Sequence, residues 1–120
     1  MYKLNNSEWN VLESLWSGCS ALGEIVDYLK PLTKWSRNTV LTYLTRMEDK
    51  GFVKIDRTDE PHTYEALLTR EECARSERNR LLNKVYSGAA ADMLVAFLKE
   101  TKITAEERDE LKKLLDEMEV

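Results

Sequence analysis

The side chains that could support covalent or metal chemistry are few and scattered along this chain. His62 is the only histidine and stands close to Glu60 in a polar stretch, while Cys19 and Cys73 lie far apart, without the paired spacing of a zinc site. There is no Gly-rich phosphate loop and no nucleophile motif, and the carboxylates fall chiefly on helix faces that solvent would cover. An enzyme is not expected, nor is a cofactor or a bound metal. The two cysteines read as reduced thiols that pack as small residues, and His62 reads as a surface side chain.

A different chemistry is offered by the residues after Trp35-Ser36. At about 100° per residue, Val40, Tyr43, Leu44 and Met47 share one helix face, whereas Asn38, Thr42, Thr45 and Asp49 fall opposite. Polar faces that merely face solvent favour Glu and Lys; amides and hydroxyls in their place match the donors and acceptors of base edges in the DNA major groove. Arg37 and Arg46 flank that face and suit phosphates.

Charge points the same way once its distribution is considered. The net charge of −4 argues against a polyanion as partner, because phosphate attraction supplies most non-specific affinity. Yet Lys30, Lys34, Arg37, Arg46, Lys50, Lys54 and Arg57 lie within one stretch that holds only Glu48, Asp49 and Asp56 as acids, and the carboxylates accumulate beyond Glu100. A basic segment precedes an acidic tail.

The elements that must position these residues can be read in order. Asn5 to Glu8 supply caps and an acid for a first helix bearing Trp9, Leu12, Leu15 and Trp16, which ends near Ser17-Gly18. Ser20 is expected to cap a second helix, with Leu22, Ile25, Val26 and Leu29 as its stripe and Pro31 as its stop. Ser36 caps the third, over residues 37–50, and Gly51 closes it. The pattern then alternates, predicting a hairpin in which Phe52 to Ile55 and Thr63 to Leu67 pair around a polar turn. Thr69 to Glu72 form a capping box for a fourth helix that Gly88 breaks; further helices follow over 89–99 and after Thr104.

Three helices and a hairpin are the order of a winged helix-turn-helix, with the third helix in the groove and the hairpin as wing. The fold class predicted is mostly α with a small β-hairpin wing, the DNA-binding domain spanning 1–70 and a helical dimerisation domain spanning 71–120. The second domain exposes Leu81, Val85, Leu94, Phe97, Leu98, Leu111, Leu114, Leu115 and Met118, more apolar surface than so short a tail hides against itself. A homodimer is the expected solution. With 42% hydrophobic and 33% charged residues the chain lies outside the regime of disorder, and it has no apolar run of bilayer-spanning length. The opening Met1-Tyr2-Lys3-Leu4-Asn5 lacks the apolar core of a secretory signal, so a cytoplasmic protein without membrane insertion is expected.

The stretch from Trp35 to Met47, with Lys50-Gly51-Phe52-Val53, Tyr64-Glu65-Ala66-Leu67 and Thr69-Arg70-Glu71-Glu72, resembles the BlaI/MecI/CopY family of penicillinase repressors over essentially the whole chain. The resemblance implies a homodimer on a palindromic double-stranded DNA operator. It implies that Asn38, Thr39, Leu41 and Thr42 face bases or adjacent phosphates, that Arg46 lies near the backbone, and that the wing, with Arg57, approaches flanking DNA. Position 41 is often a long polar residue in that family; Leu41 can touch a thymine methyl but cannot bond guanine bidentately. In one branch a membrane sensor protease triggers cleavage before a Phe that matches Ala96-Phe97, which implies proteolytic derepression. The Cys-x-Cys pairs of the metal-sensing branch do not occur in this tail. Two other readings share the same fold: a protein-interaction module, and a repressor released by another signal without cleavage.

Overall fold

A computed structural model describes residues 3–120; Met1 and Tyr2, which belong to the opening judged above for a secretory signal, lie outside the described residues. The described elements are α1 (Asn6–Trp16), α2 (Leu22–Thr33), α3 (Arg37–Asp49), β1 (Val53–Asp56), β2 (Thr63–Ala66), α4 (Arg70–Tyr86), α5 (Ala90–Glu100) and α6 (Ala105–Glu117). The chain forms two compact units that meet within α4, one ending at Arg78 and the other spanning Asn79–Val120. No single helix among the described residues is long and apolar enough to cross a membrane.

In the first unit, local chemistry sets most of the boundaries. Asn5 caps α1 by accepting from the Glu8 amide at 2.8 Å while the Glu8 carboxylate accepts from the Asn5 amide at 3.1 Å. Ser36 caps α3 by accepting from the Thr39 amide at 3.2 Å. At the other end of α3, Gly51 adopts φ 81°, and the amides of Gly51 and Phe52 reach back to the carbonyls of Glu48 and Met47. That left-handed closure turns the chain from helix directly into the wing.

The second helix departs from expectation at both ends. Its N-cap is Ala21 and not Ser20, because the Ser20 carbonyl accepts from the Tyr64 amide at 2.8 Å and Ala21 forms a bridge with Thr63. The helix start is instead secured by the Glu24 carboxylate, which accepts from the amides of Ser20 and Ala21 at 3.0 Å each. Those backbone bonds hold Glu24 below the usual carboxylate range. Nor does Pro31 stop the helix. It falls in an exposed last turn, where its missing amide leaves unpaired only the carbonyl of the equally exposed Asp27, and α2 continues to Thr33 before Lys34 turns left-handed at φ 62°.

β1 and β2 pair antiparallel with Val53 opposite Ala66 and Ile55 opposite Tyr64. The alternation puts Val53 and Tyr64 inward. They meet Val11, Leu12, Ile25, Leu29, Val40, Leu44 and Met47 in one buried cluster contributed by all three helices. Trp16 ties α1 to the segment after the wing by donating from Nε1 to the Leu68 carbonyl at 2.9 Å. The predicted start of the fourth helix holds closely, with Thr69 and Glu72 exchanging capping bonds at 3.1 Å, and Cys73, one turn on, is buried.

The second unit contains the end of α4 together with α5 and α6. Thr104 and Glu107 form a capping box at the start of the last helix. Neither α5 nor α6 has a buried residue.

Candidate nucleic-acid interface

The candidate interface is the outer surface of α3 together with the wing. Val40, Leu44 and Met47 are fully buried, which fixes the rotation of α3 about its own axis and leaves Arg37, Asn38, Leu41, Thr42, Thr45 and Arg46 exposed. Thr39 is half-buried at the start of the helix, where its hydroxyl lies 3.1 Å from that of Ser36. Seven of the eight DNA-reading residues expected from sequence therefore stand on one short helix. A stack of Trp35 on Tyr43, with ring centroids 4.5 Å apart and planes 17° from parallel, braces the turn that delivers the chain into α3.

Two hydroxyls on this surface are already engaged. Thr42 donates to the Asn38 carbonyl at 2.9 Å and Thr45 donates to the Leu41 carbonyl at 3.0 Å. Each threonine thus turns a methyl group and oxygen lone pairs outward, with its proton spent on the helix. A rule for the sequence exists here: threonine inside a helix commonly bonds the carbonyl four residues back.

Electrostatics are narrower than the count of cations suggests. Lys50 pairs with the buried Glu8 at 2.7 Å, Lys54 approaches Glu65 at 4.0 Å, and Arg57 forms a bidentate pair with Glu48 at 2.6 and 2.9 Å. Among the described residues Lys30, Lys34, Arg37 and Arg46 form no ion pair, so the uncompensated charge collects at the end of α2 and along α3. Arg57, the eighth predicted contact, is joined to the interface through Glu48, a residue that sequence reasoning did not assign. The Arg57 guanidinium, by hydrogen bonding first and charge second, holds the Glu48 carboxyl below its ordinary range. No local spacing rule links positions 48 and 57, because the pair depends on the hairpin folding back beside the helix.

The remaining candidates have quieter surroundings. His62 lies 3.3 Å from Glu60 on the half-exposed wing tip. Burial, aided by Glu24, pushes the Cys19 thiol up, and burial, aided by Glu72, does the same for Cys73, which keeps both protonated at neutral pH. Among the described residues no three His, Cys, Asp or Glu side chains are grouped to hold a metal ion.

The residues expected to form a dimer lie in the second unit: Leu81 and Val85 on α4, Leu94, Phe97 and Leu98 on α5, Leu111, Leu114 and Leu115 on α6, and Met118 just beyond it. All are exposed except the half-buried Leu111. Ala96 and Phe97 fall inside α5, the former half-buried and the latter exposed.

A sequence profile described as penicillinase repressor matches residues 4–117, nearly the whole chain. The chain belongs to the penicillinase repressor family. Relatives are distant but cover almost their full length. The methicillin resistance regulatory protein MecI of Staphylococcus aureus strain N315 is 23% identical over 116 residues, spanning 96% of this chain and 94% of that protein. The penicillinase repressor of Bacillus licheniformis is 24% identical over 116 residues, spanning 96% and 91%. A solved structure of a MarR family protein from Bacillus stearothermophilus superposes with a TM-score of 0.51 and 23% identity, over 98% of this chain and 76% of that one. The architecture is that of the winged-helix regulators, as the order of elements predicted. Penicillinase repressor family members are transcriptional repressors and not enzymes, in agreement with the reading of the scattered His and Cys residues.

Proposed function

We propose that this member of the penicillinase repressor family acts as a homodimer on a palindromic DNA operator, with α3 in the major groove and the wing beside the flanking backbone. The observation that carries the reading is the division of α3: Val40, Leu44 and Met47 are sealed in the core, while Arg37, Asn38, Leu41, Thr42, Thr45 and Arg46 stand exposed together. A helix held by one face and presenting amides, hydroxyls and free guanidinium groups on the other has what base-edge and phosphate contact requires.

Dimerisation is supported by the absence of any buried residue from α5 and α6 despite their leucines, Met93 and Phe97. A symmetric partner covers such faces and doubles the footprint on DNA, turning weak half-site binding into useful affinity. Derepression by a sensor protease at Ala96-Phe97 fits this arrangement, since a cut within α5 separates α6 from the rest of the dimerisation unit. The bond lies within a helix, so cleavage requires local opening of α5 first.

The test is duplex binding by the full chain over a range of salt. Affinity that falls linearly in log–log form as salt rises is the expected result. No duplex binding at any salt would leave a winged helix used for protein contacts and overturn the proposal.

A further inference from the structure

Between its arginines, Arg37 and Arg46, the outward face of α3 has few uncharged hydrogen-bond donors and carries the aliphatic side chain of Leu41. Leu41 stands 39% exposed among the polar side chains of this surface. Thr45 and Thr42 have each spent their hydroxyl proton on the carbonyl four residues back, that of Leu41 and of Asn38 respectively. The Asn38 amide is thus an uncharged donor that remains on this face. On its wing side Leu41 adjoins a cavity of about 210 Å³ whose apolar wall comes from Leu22 and Pro61 and whose rim includes Arg37.

Resting on the major-groove reading proposed above, we propose that Leu41 is a specificity-determining residue that recognises the 5-methyl group of thymine, with the methyls of Thr42 and Thr45 extending the same apolar strip. In the major groove thymine alone among the four bases presents a methyl group, whereas guanine presents two acceptors that need donors. Guanine against Leu41 would lose its water without gaining a partner, and cytosine would turn its amino donor toward hydrocarbon. Thymine gains an apolar contact at the same position. The half-site therefore places thymine opposite Leu41, with adenine suited to the amide of Asn38 nearby.

The experiment begins with selection of tight-binding duplexes from a randomised library by the full chain. Each thymine of the selected site is then replaced singly by deoxyuridine, which removes only the methyl group. The wild-type chain is expected to lose roughly fourfold in affinity at one thymine per half-site, the value of one buried methyl. Leu41→Ala, a surface substitution that leaves the core intact, is expected to bind the thymine and deoxyuridine duplexes alike at that position. Equal wild-type affinity for both duplexes at every position overturns the methyl-reading role, as does a deoxyuridine penalty that persists in Leu41→Ala. Failure to select any duplex would instead remove the groove-binding reading on which it rests.

Discussion

The guanidinium of Arg57 spans both carboxylate oxygens of Glu48, at 2.6 and 2.9 Å, so the wing is clamped to the carboxyl end of α3, the helix proposed to face DNA. Arg57 is half exposed and Glu48 is partly buried but reached by solvent, and the contribution of the pair to global stability is correspondingly small. Its consequence is positional: the clamp sets where the wing stands relative to α3.

Acid should open that clamp. Glu48 titrates below its ordinary range when folded, so the stabilisation it contributes is complete above the unfolded carboxylate pKa and is lost as pH falls through the lowered value. Carboxyl-resolved NMR titration should show Glu48 protonating at lower pH in the wild-type chain than in Arg57→Ala, where the hydrogen-bonding guanidinium is gone. Glu48→Gln should release the Arg57 side chain at neutral pH and raise non-specific duplex affinity, measured by fluorescence anisotropy; an unchanged affinity would mean that Arg57 does not reach phosphate even when freed.

Arg46 and Thr42 should differ in what they do to binding. Arg46 is exposed and without an ion pair, so Arg46→Ala is expected to weaken all duplexes alike and to lower the log–log salt slope by about one unit. Thr42→Ala removes a methyl and an acceptor from the centre of the reading face and should change base preference with little effect on the slope. Site selection with both variants distinguishes them, and indistinguishable profiles would argue against the assigned roles.

The buried Glu8 should be sensitive to its partner. Its side chain is 4% exposed and meets Lys50 at 2.7 Å, with the Asn5 amide on its other oxygen. Lys50→Ala leaves that carboxylate without its cation and is expected to destabilise the winged-helix unit by about 1.5–3 kcal/mol, the range for a hydrogen bond to a charged group. The readout is the tryptophan fluorescence of Trp9 and Trp16 during urea unfolding, where a midpoint equal to wild type would show that Lys50 contributes nothing.

Charge placed in the second unit should separate the protomers. Phe97→Glu and Leu115→Glu each put a carboxylate on a face that the proposed dimer buries, whereas both sites are exposed in the single chain. Sedimentation should change from dimer to monomer, with circular dichroism unchanged and operator affinity reduced. Dimers that survive both substitutions would place the interface elsewhere.

Much of the candidate site was legible before any tertiary structure. The period of Val40, Leu44 and Met47, the cap at Ser36 and the glycine at position 51 are local signals, each decided by the backbone within one or two turns, and together they define α3 and its outward face. The same holds for the boxes at Asn5, Thr69 and Thr104. Proline at position 31 misled because its penalty depends on how many carbonyls it orphans and whether they face water, and at an exposed last turn that penalty is small.

By itself, then, the sequence determined the order of elements, the family and the exposed face of α3, because these depend on periodicity and on contacts a few positions apart. Tertiary structure alone decided which cations remain free for phosphate, since Lys50 and Arg57 find Glu8 and Glu48 only after distant segments are folded together. It also decided the start of α2, where pairing of Ser20 and Ala21 with the wing displaces the expected serine cap. Charge pairs and strand bridges of this kind join positions that no local pattern relates, and the core that brings them together must form before either partner can be identified.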